Sequence, residues 1–408
     1  MKCRHCAFDL QHTFVDLSSS PPSNSYLTKK TINEPEKWYP LKVLVCDNCW
    51  LVQTEDFVGV SEMFSEDYAY FSSFSSTWLK HAKDYVENVT SRFNINSESL
   101  VVEIAANDGY LLQYVKDKGI PCYGIEPTQS TAEAARNKGI EIIEEFFSVK
   151  KANELLREGR QSDLITSNNV LAHVPDINDF VKGISILLKP NGIATFEFPH
   201  LLNLVELNQF DTIYHEHYSY LSLTSVQKIF EVNGLSIFDI EELPTHGGSL
   251  RIYAQRSDLG VNIKSEVVAI LKRKEDKLGM SDINFYKGFQ HRVEKVKIEF
   301  LTFALQAKKE GKQIVGYGAA AKGNTMMNFS GIREDIVSYV VDKSPAKKGK
   351  FMPGSRVPII DIKNILITKP DYIIIFPWNL KDEIILELEF IKEWGGEFVI
   401  LIPELKII

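Results

Sequence analysis

Nine consecutive residues, YHEHYSYLS (214–222), hold two histidines, a glutamate and three tyrosines. Histidine changes charge near neutral pH and is the side chain best placed to act as a general base there. Carboxylate and phenol groups beside it can orient the ring and steady a developing negative charge. Such crowding suits the removal of a reluctant proton. A second cluster lies at the N-terminus, where Cys3 and Cys6 form one C-x2-C pair and Cys46 and Cys49 another. Two such knuckles present four thiolates to one point, the ligand set of a structural zinc ion. Four protein ligands leave no open position, so this Zn2+ is expected to staple the fold and not to catalyse. His5 falls inside the first knuckle and is left out of the site, and Cys122 reads as a small core residue.

These groups need elements to hold them. Of the 408 residues, 44% are hydrophobic and 25% charged, the balance of a folded protein of two or three domains. The formal net charge of −8 argues against nucleic acid or an anionic membrane surface as partner. The N-terminus MKCRHCAFDL has no apolar signal region, and no stretch is apolar for long enough to span a bilayer. A cytoplasmic location is expected, where thiols stay reduced.

Residues 1–70 are rich in Cys, Pro, Ser and aromatics, and the run SSSPPSNS (18–25) is a loop. In residues 71–260, VVEIAA (101–106), CYGIEP (122–127), LITSNNV (164–170) and GIATFEF (192–198) read as strands. They alternate with helical stretches such as TAEAARNKG and FVKGISILLKP, which predicts a parallel α/β sheet covered on both faces. Residues 262–311 are helical and charged. Residues 261–408 end in a second, smaller strand–helix alternation through QIVGYGAAAKGN, IVSYVVDKS, PDYIIIFPWN and GEFVILIPE.

The first strand of the central unit runs into a turn holding Asn107, Asp108 and Gly109, and the second ends at Glu126. An acid at that strand tip hydrogen-bonds ribose hydroxyls. Without G-x-G-x-x-G the turn offers no pyrophosphate cradle, so a nucleoside lacking a diphosphate is favoured over NAD. The solvated tips of a generic α/β domain are the plainer reading.

The stretch EIAANDG (103–109) resembles the first motif of the class I S-adenosylmethionine methyltransferases, E-x-G-x-x-x-G, with Ala105 in place of the first glycine. The resemblance implies a Rossmann-like central domain binding S-adenosylmethionine. Glu103, Ala105, Asn107, Asp108 and Gly109 would line the methionine part, and Glu126 and Pro127 the ribose. Phe147 and Ser148 would flank the adenine, and Asn168 and Asn169 would end the fourth strand near the methionine. The paired knuckles, DYAYFSSFSSTW (67–78), EIAANDG, NNVLAHVPD (168–176), YHEHYSYLS and HGGSLR (246–251) also occur in order. That combination resembles, over essentially the whole chain, the zinc-binding C-methyltransferases that act on C3 of nucleotide-linked 4-keto-6-deoxy sugars. The C4 ketone acidifies the neighbouring C–H, a base takes the proton, and the enolate accepts the methyl group.

The resemblance implies His217 as base, with Tyr214 donating to the enolate oxygen and Glu216 holding an imidazole in one tautomer. His173 would bond the keto oxygen or relay a proton. Tyr68 and Tyr70 would close over the sugar, and His246 and Arg251 would approach it. His215 alternates with its neighbours and points away. In the C-terminal unit, GYGAAAKGNT (316–325) is an imperfect dinucleotide fingerprint, G-x-G-x4-G, followed by Asp342. By resemblance Lys322 and Asn324 meet the diphosphate of a dTDP or GDP sugar, Asp342 the ribose and Trp378 the base. The Lys-rich run DKSPAKKGK reads as a solvated loop. A monomer or small homo-oligomer is expected. Rival readings are an NAD-dependent nucleotide-sugar oxidoreductase or epimerase, a methyltransferase acting on oxygen or nitrogen, and a non-catalytic binding protein.

Overall fold

The computed structural model describes residues 1–57 and 71–408; Tyr68 and Tyr70 lie outside the described residues. Three sheets organise them. The first is antiparallel, in the order β1 (His12–Ser20), β2 (Tyr39–Val45), β3 (Val52–Thr54) and β9 (Ser219–Tyr220). Its last strand comes from the histidine-rich stretch, so the N-terminal module builds its sheet edge from the segment that carries the candidate base.

The central sheet contains β4 (Val101–Ile104), β5 (Cys122–Ile125), β6 (Glu141–Ile143), β7 (Ser162–Asn168), β8 (Leu188–Pro199), β10 (Leu235–Leu243) and β11 (Ser249–Arg256). Its order is β10-β11-β8-β7-β4-β5-β6, parallel from β6 to β8, with β10 and β11 antiparallel. All four residues of β4 are buried, as a strand covered on both faces requires. The strand order reverses between β4 and β7. Ligands of doubly wound sheets bind at the carboxyl ends of strands at such a reversal.

Three helices, Glu266–Leu278, Ile283–Tyr286 and Phe289–Lys309, follow as expected for residues 262–311. The last sheet holds β12 (Ile314–Tyr317), β13 (Val337–Val341), β14 (Ile359–Ile360), β15 (Tyr372–Ile375), β16 (Glu397–Ile400) and β17 (Lys406–Ile407) in the order β14-β13-β12-β15-β16-β17. Its reversal falls between β12 and β15.

The N-terminal sheet shares its core with the C-terminal unit. Phe14 of β1 stacks on Phe289, ring centroids 4.5 Å apart, and both sit in one buried cluster with Phe300, Met326 and Met327. Burying a side chain of this size contributes roughly 2–3 kcal/mol. The cysteine knuckles pack instead on the central unit, beside Leu171, Leu221 and Val226. The module thus bridges the two larger units. Among the described residues, no helix is long and apolar enough to cross a membrane.

Candidate active site

The metal ligands come together as the spacing predicts. The four Sγ atoms lie within 4.8 Å of one another. Cys3 and Cys49 approach to 3.5 Å, as do Cys6 and Cys46. A zinc–thiolate tetrahedron with bonds of about 2.3 Å has edges of roughly 3.8 Å, so the set fits that ion. The two knuckles are the same turn used twice. The amide of Ala7 donates to Cys3 O and that of Trp50 to Cys46 O, and both residues take positive φ, 58° and 66°. His5 turns away to Asn178. Burial pushes the lone Cys122 thiol up to about 11, which suits a core residue and not a nucleophile.

The cofactor turn follows β4. Ala105 and Asn107 hold φ of 56° and 48°, a conformation that costs a residue with a Cβ about 1 kcal/mol or more. Glu126 fixes this turn. Its carboxylate accepts the amides of Asn107 and Thr128, each at 2.9 Å, and burial raises its pKa. Burial also pushes Glu103 well above the usual carboxylate range. Asn107 Oδ1 accepts the Ser72 amide at 3.0 Å, and Asp108 Oδ2 the Ser73 amide at 3.3 Å. Pro127 follows on the same strand tip. Phe147 packs edge-on against Phe180, while the Ser148 hydroxyl caps the next helix. Asp108 Oδ1, Asn168 Oδ1 and Asn169 Oδ1 are buried and have no hydrogen-bond partner among the described residues. Three orphaned acceptors at the carboxyl ends of β4 and β7 are what the ammonium of a methionine moiety would satisfy. The residues present therefore fit S-adenosylmethionine.

The histidine-rich segment lies beside the chain that follows β7, where the Tyr218 amide donates to Ala172 O at 2.8 Å. His217 Nδ1 is 2.8 Å from Thr212 O, and its Nε2 is 2.7 Å from Tyr214 Oη. A carbonyl only accepts, so Nδ1 carries the hydrogen and Nε2 presents its lone pair to the tyrosine O–H. Burial, then the charge of His173, hold His217 well below the ordinary imidazole range. His217 is 9% exposed, whereas Tyr214 is half-buried, so the phenol is the more exposed member of the pair. His173 stands edge-on to His217, centroids 4.6 Å apart, and burial lowers it to about 4. His215 points away to the carbonyls of Tyr39 and Pro40, as the alternation suggests.

The Thr212 carbonyl orients His217, while the backbone carbonyl of Glu216 accepts a hydrogen bond from His173. Glu216 Oε1 accepts from Asn24 Nδ2 at 2.6 Å, in the Ser/Pro loop. Neither Thr212 nor Asn24 belongs to a motif, so no local pattern signals these contacts.

Further expected residues are brought together around two tryptophans, Trp78 and Trp378. His246, at φ 53°, sits against Trp78, which also stacks on Tyr110 of the cofactor turn. Gly247 lies against Trp378, where a Cβ would come within 2.3 Å of the ring. Trp378 Nε1 donates to Asp211 at 2.7 Å. Lys322 Nζ lies 4.0 Å from the centre of the Trp378 ring and donates to Asn379 Oδ1 at 2.7 Å.

Three expected sugar or nucleotide ligands have other partners. Arg251 is 4% exposed and pairs with Glu197 at 2.7 Å and Glu241 at 3.0 Å, and His81 pairs with the same buried Glu197 at 2.9 Å. Asn324 donates to Ser23 O at 2.6 Å and pins the Ser/Pro loop. Asp342 accepts the amides of Ala319 and Ser344, each at 2.8 Å, so it closes the glycine turn from within. Tyr26 and Lys347 both donate to Ala319 O above that turn. Gly323 is small because a Cβ there would sit 2.9 Å from Phe376. A Cβ at Gly316 would meet the same ring at 2.6 Å, and Gly318 takes φ 90° beside Pro377, so each of the three glycines has a local packing or backbone reason.

The family models match in three consecutive parts. A zinc binding domain model matches residues 3–64, a methyltransferase domain model 78–239 and a "C-methyltransferase C-terminal domain" model 244–403. The C-methyltransferase NovU of Streptomyces niveus is 31% identical over all of this chain and 96% of its own length. The chain belongs to the C-methyltransferase family. A ubiquinone biosynthesis O-methyltransferase of Bordetella avium is 28% identical over 24% of this chain and 41% of its own. The S-adenosylhomocysteine complex of magnesium protoporphyrin IX methyltransferase from Synechocystis matches at TM-score 0.36 and 18% identity, covering 44% of this chain and 83% of that one. This C-methyltransferase is thus an S-adenosylmethionine-dependent enzyme with a four-cysteine zinc site.

Proposed function

We propose that the enzyme methylates C3 of a dTDP- or GDP-linked 4-keto-6-deoxy sugar, and that the Tyr214–His217 pair removes the C3 proton. One observation carries the reading. His217 Nδ1 faces the Thr212 carbonyl, which leaves Nε2 to accept from the Tyr214 hydroxyl at 2.7 Å, and the ring is only 9% exposed. A phenol backed by a neutral imidazole can pass a proton inward as the ring accepts it. When bound, S-adenosylmethionine supplies an electrophilic methyl carbon. Asn107, Asp108, Glu126, Asn168 and Asn169 hold that donor at the tips of β4 and β7. His173 hydrogen-bonds the keto oxygen. His246 and Trp378 line the sugar's other side, and the nucleotide runs toward the carboxyl ends of β12 and β15. Arg251, Asn324 and Asp342 hold the walls without touching substrate. The reading also takes 1–70, 71–260 and 261–408 as working units.

The test is incubation with labelled S-adenosylmethionine and a panel of dTDP- and GDP-4-keto-6-deoxy sugars, followed by NMR of the product. A new methyl on C3 is expected. A methyl on oxygen, on nitrogen or on C5, the other carbon beside the ketone, would overturn the assignment.

A further inference from the structure

Lys322 has surroundings that neither a diphosphate ligand nor a structural cation explains. It opens the helix Ala321–Ser330, at the strand-order reversal of the last sheet. Its ammonium makes no ion pair among the described residues. It is held only by Asn379 Oδ1 and the face of Trp378. Burial lowers its pKa to about 8, opposed by the charge of Asp211. That carboxylate is itself occupied by Trp378 Nε1, and burial lifts it to about 6. By contrast, Lys347 is spent on Ala319 O and Asp342. Lys322 is thus a desolvated cation, fixed in place and short of negative charge.

Its reach decides what it serves. The Trp378 ring under its ammonium packs on Gly247, next to His246 of the central domain. The same helix is fastened to the catalytic segment, because Thr325 Oγ1 donates to Ile213 O at 2.8 Å, one residue before Tyr214. A shift of the C-terminal domain would therefore move Lys322 and Tyr214 together.

We propose that Lys322 is the cation that holds the enolate oxygen while the Tyr214–His217 pair takes the proton from carbon. The C–H bond breaks, its proton goes to the pair, and its electrons pass to the carbonyl oxygen. That oxygen becomes anionic beside the Lys322 ammonium. The charge is discharged when the carbon forms its new bond to the methyl group and the donor's sulfur keeps the electrons of the broken S–C bond. A preorganised charge of this kind contributes about 10²–10³ in rate. The inference rests on the keto-sugar reading above.

The experiment separates the two. Full-length zinc-loaded enzyme is mixed with dTDP-4-keto-6-deoxyglucose or its GDP counterpart and S-adenosylhomocysteine in D2O, and deuterium uptake beside the ketone is followed by NMR. If the wild type exchanges neither sugar, the keto-sugar reading falls and this inference falls with it. If it exchanges, Lys322→Met should slow uptake about 100-fold while dTDP or GDP binds with unchanged affinity in calorimetry. Lys322→Arg should retain most of the rate, and Asn379→Ala, which leaves the ammonium unmoored, should lose less than Lys322→Met. These two variants carry the test should Lys322→Met fail to fold. Wild-type uptake in Lys322→Met overturns the inference. So does a loss of nucleotide affinity equal to the loss of rate, which would make Lys322 a diphosphate ligand.

Discussion

The hydroxyl of Thr54 donates to the carbonyl oxygen of His217 at 3.1 Å, and the Thr54 amide donates to Tyr218 O at 3.1 Å. Arg4, inside the first cysteine knuckle, donates in turn to Thr54 O at 2.9 Å. The metal site and the candidate base are therefore joined by one short run of hydrogen bonds. Metal content should be about one zinc per chain, and Cys46→Ser should lower it. Melting temperature should drop, and turnover should fall further than cofactor affinity. A folded, active, metal-free chain would contradict the link.

Tyr214→Phe removes the hydroxyl that fills His217 Nε2 and leaves the ring's packing intact. Its kcat should fall by roughly 10²–10⁴, the usual worth of a proton-transfer group, with S-adenosylmethionine binding unchanged in calorimetry. His217→Ala should fall at least as far, and the double variant should add little. Additive losses would mean that the two side chains do not share one proton path.

Acid should destabilise the fold from about pH 6.5 downward. Burial lowers His173 and His246 to about 4 in the native state, against about 6.5 unfolded. Between those values the unfolded chain binds protons that the native chain refuses, so stability is complete above about 6.5 and declines toward 4. Glu197, fully buried yet held at about 2 by His81 and Arg251 against its burial, adds a second loss as pH falls from about 4.3 toward 2. His246→Asn should flatten the first limb of a melting-temperature profile. An unchanged slope between pH 6.5 and 4 would refute it.

Ala105→Gly should stabilise the protein slightly. At φ 56° the alanine Cβ is strained by about 1–2 kcal/mol, partly offset by the extra freedom glycine has when unfolded. A rise of a few degrees in melting temperature is expected, or at worst no change. A clear drop would show that the methyl group packs usefully against its neighbours.

Some of the site was legible because it is local. The two C-x2-C pairs specify a metal through spacing alone, and Glu126 reads from its place at the end of a strand. The histidine-rich segment stands out by composition. What stayed hidden is joined only in three dimensions. His81 and Glu197 are 116 residues apart, and Arg251 is 54 beyond Glu197, so no periodicity signals their buried cluster. Asn24 reaches Glu216 across 192 residues from a loop whose sequence says only that it turns. The C-terminal glycines have packing reasons that the sequence does not display, since Gly316 and Gly323 pass close to Phe376 and Gly318 to Pro377.

The central claim is that this enzyme breaks a carbon–hydrogen bond beside a ketone before it moves the methyl group. Its most direct test is the loss of that hydrogen to D2O from dTDP- or GDP-4-keto-6-deoxyglucose, with S-adenosylhomocysteine in place of the methyl donor. The account predicts rapid exchange in the wild type and little above the uncatalysed background in Tyr214→Phe and His217→Ala. Methyl transfer without any exchange, or equal exchange in all three proteins, would contradict it.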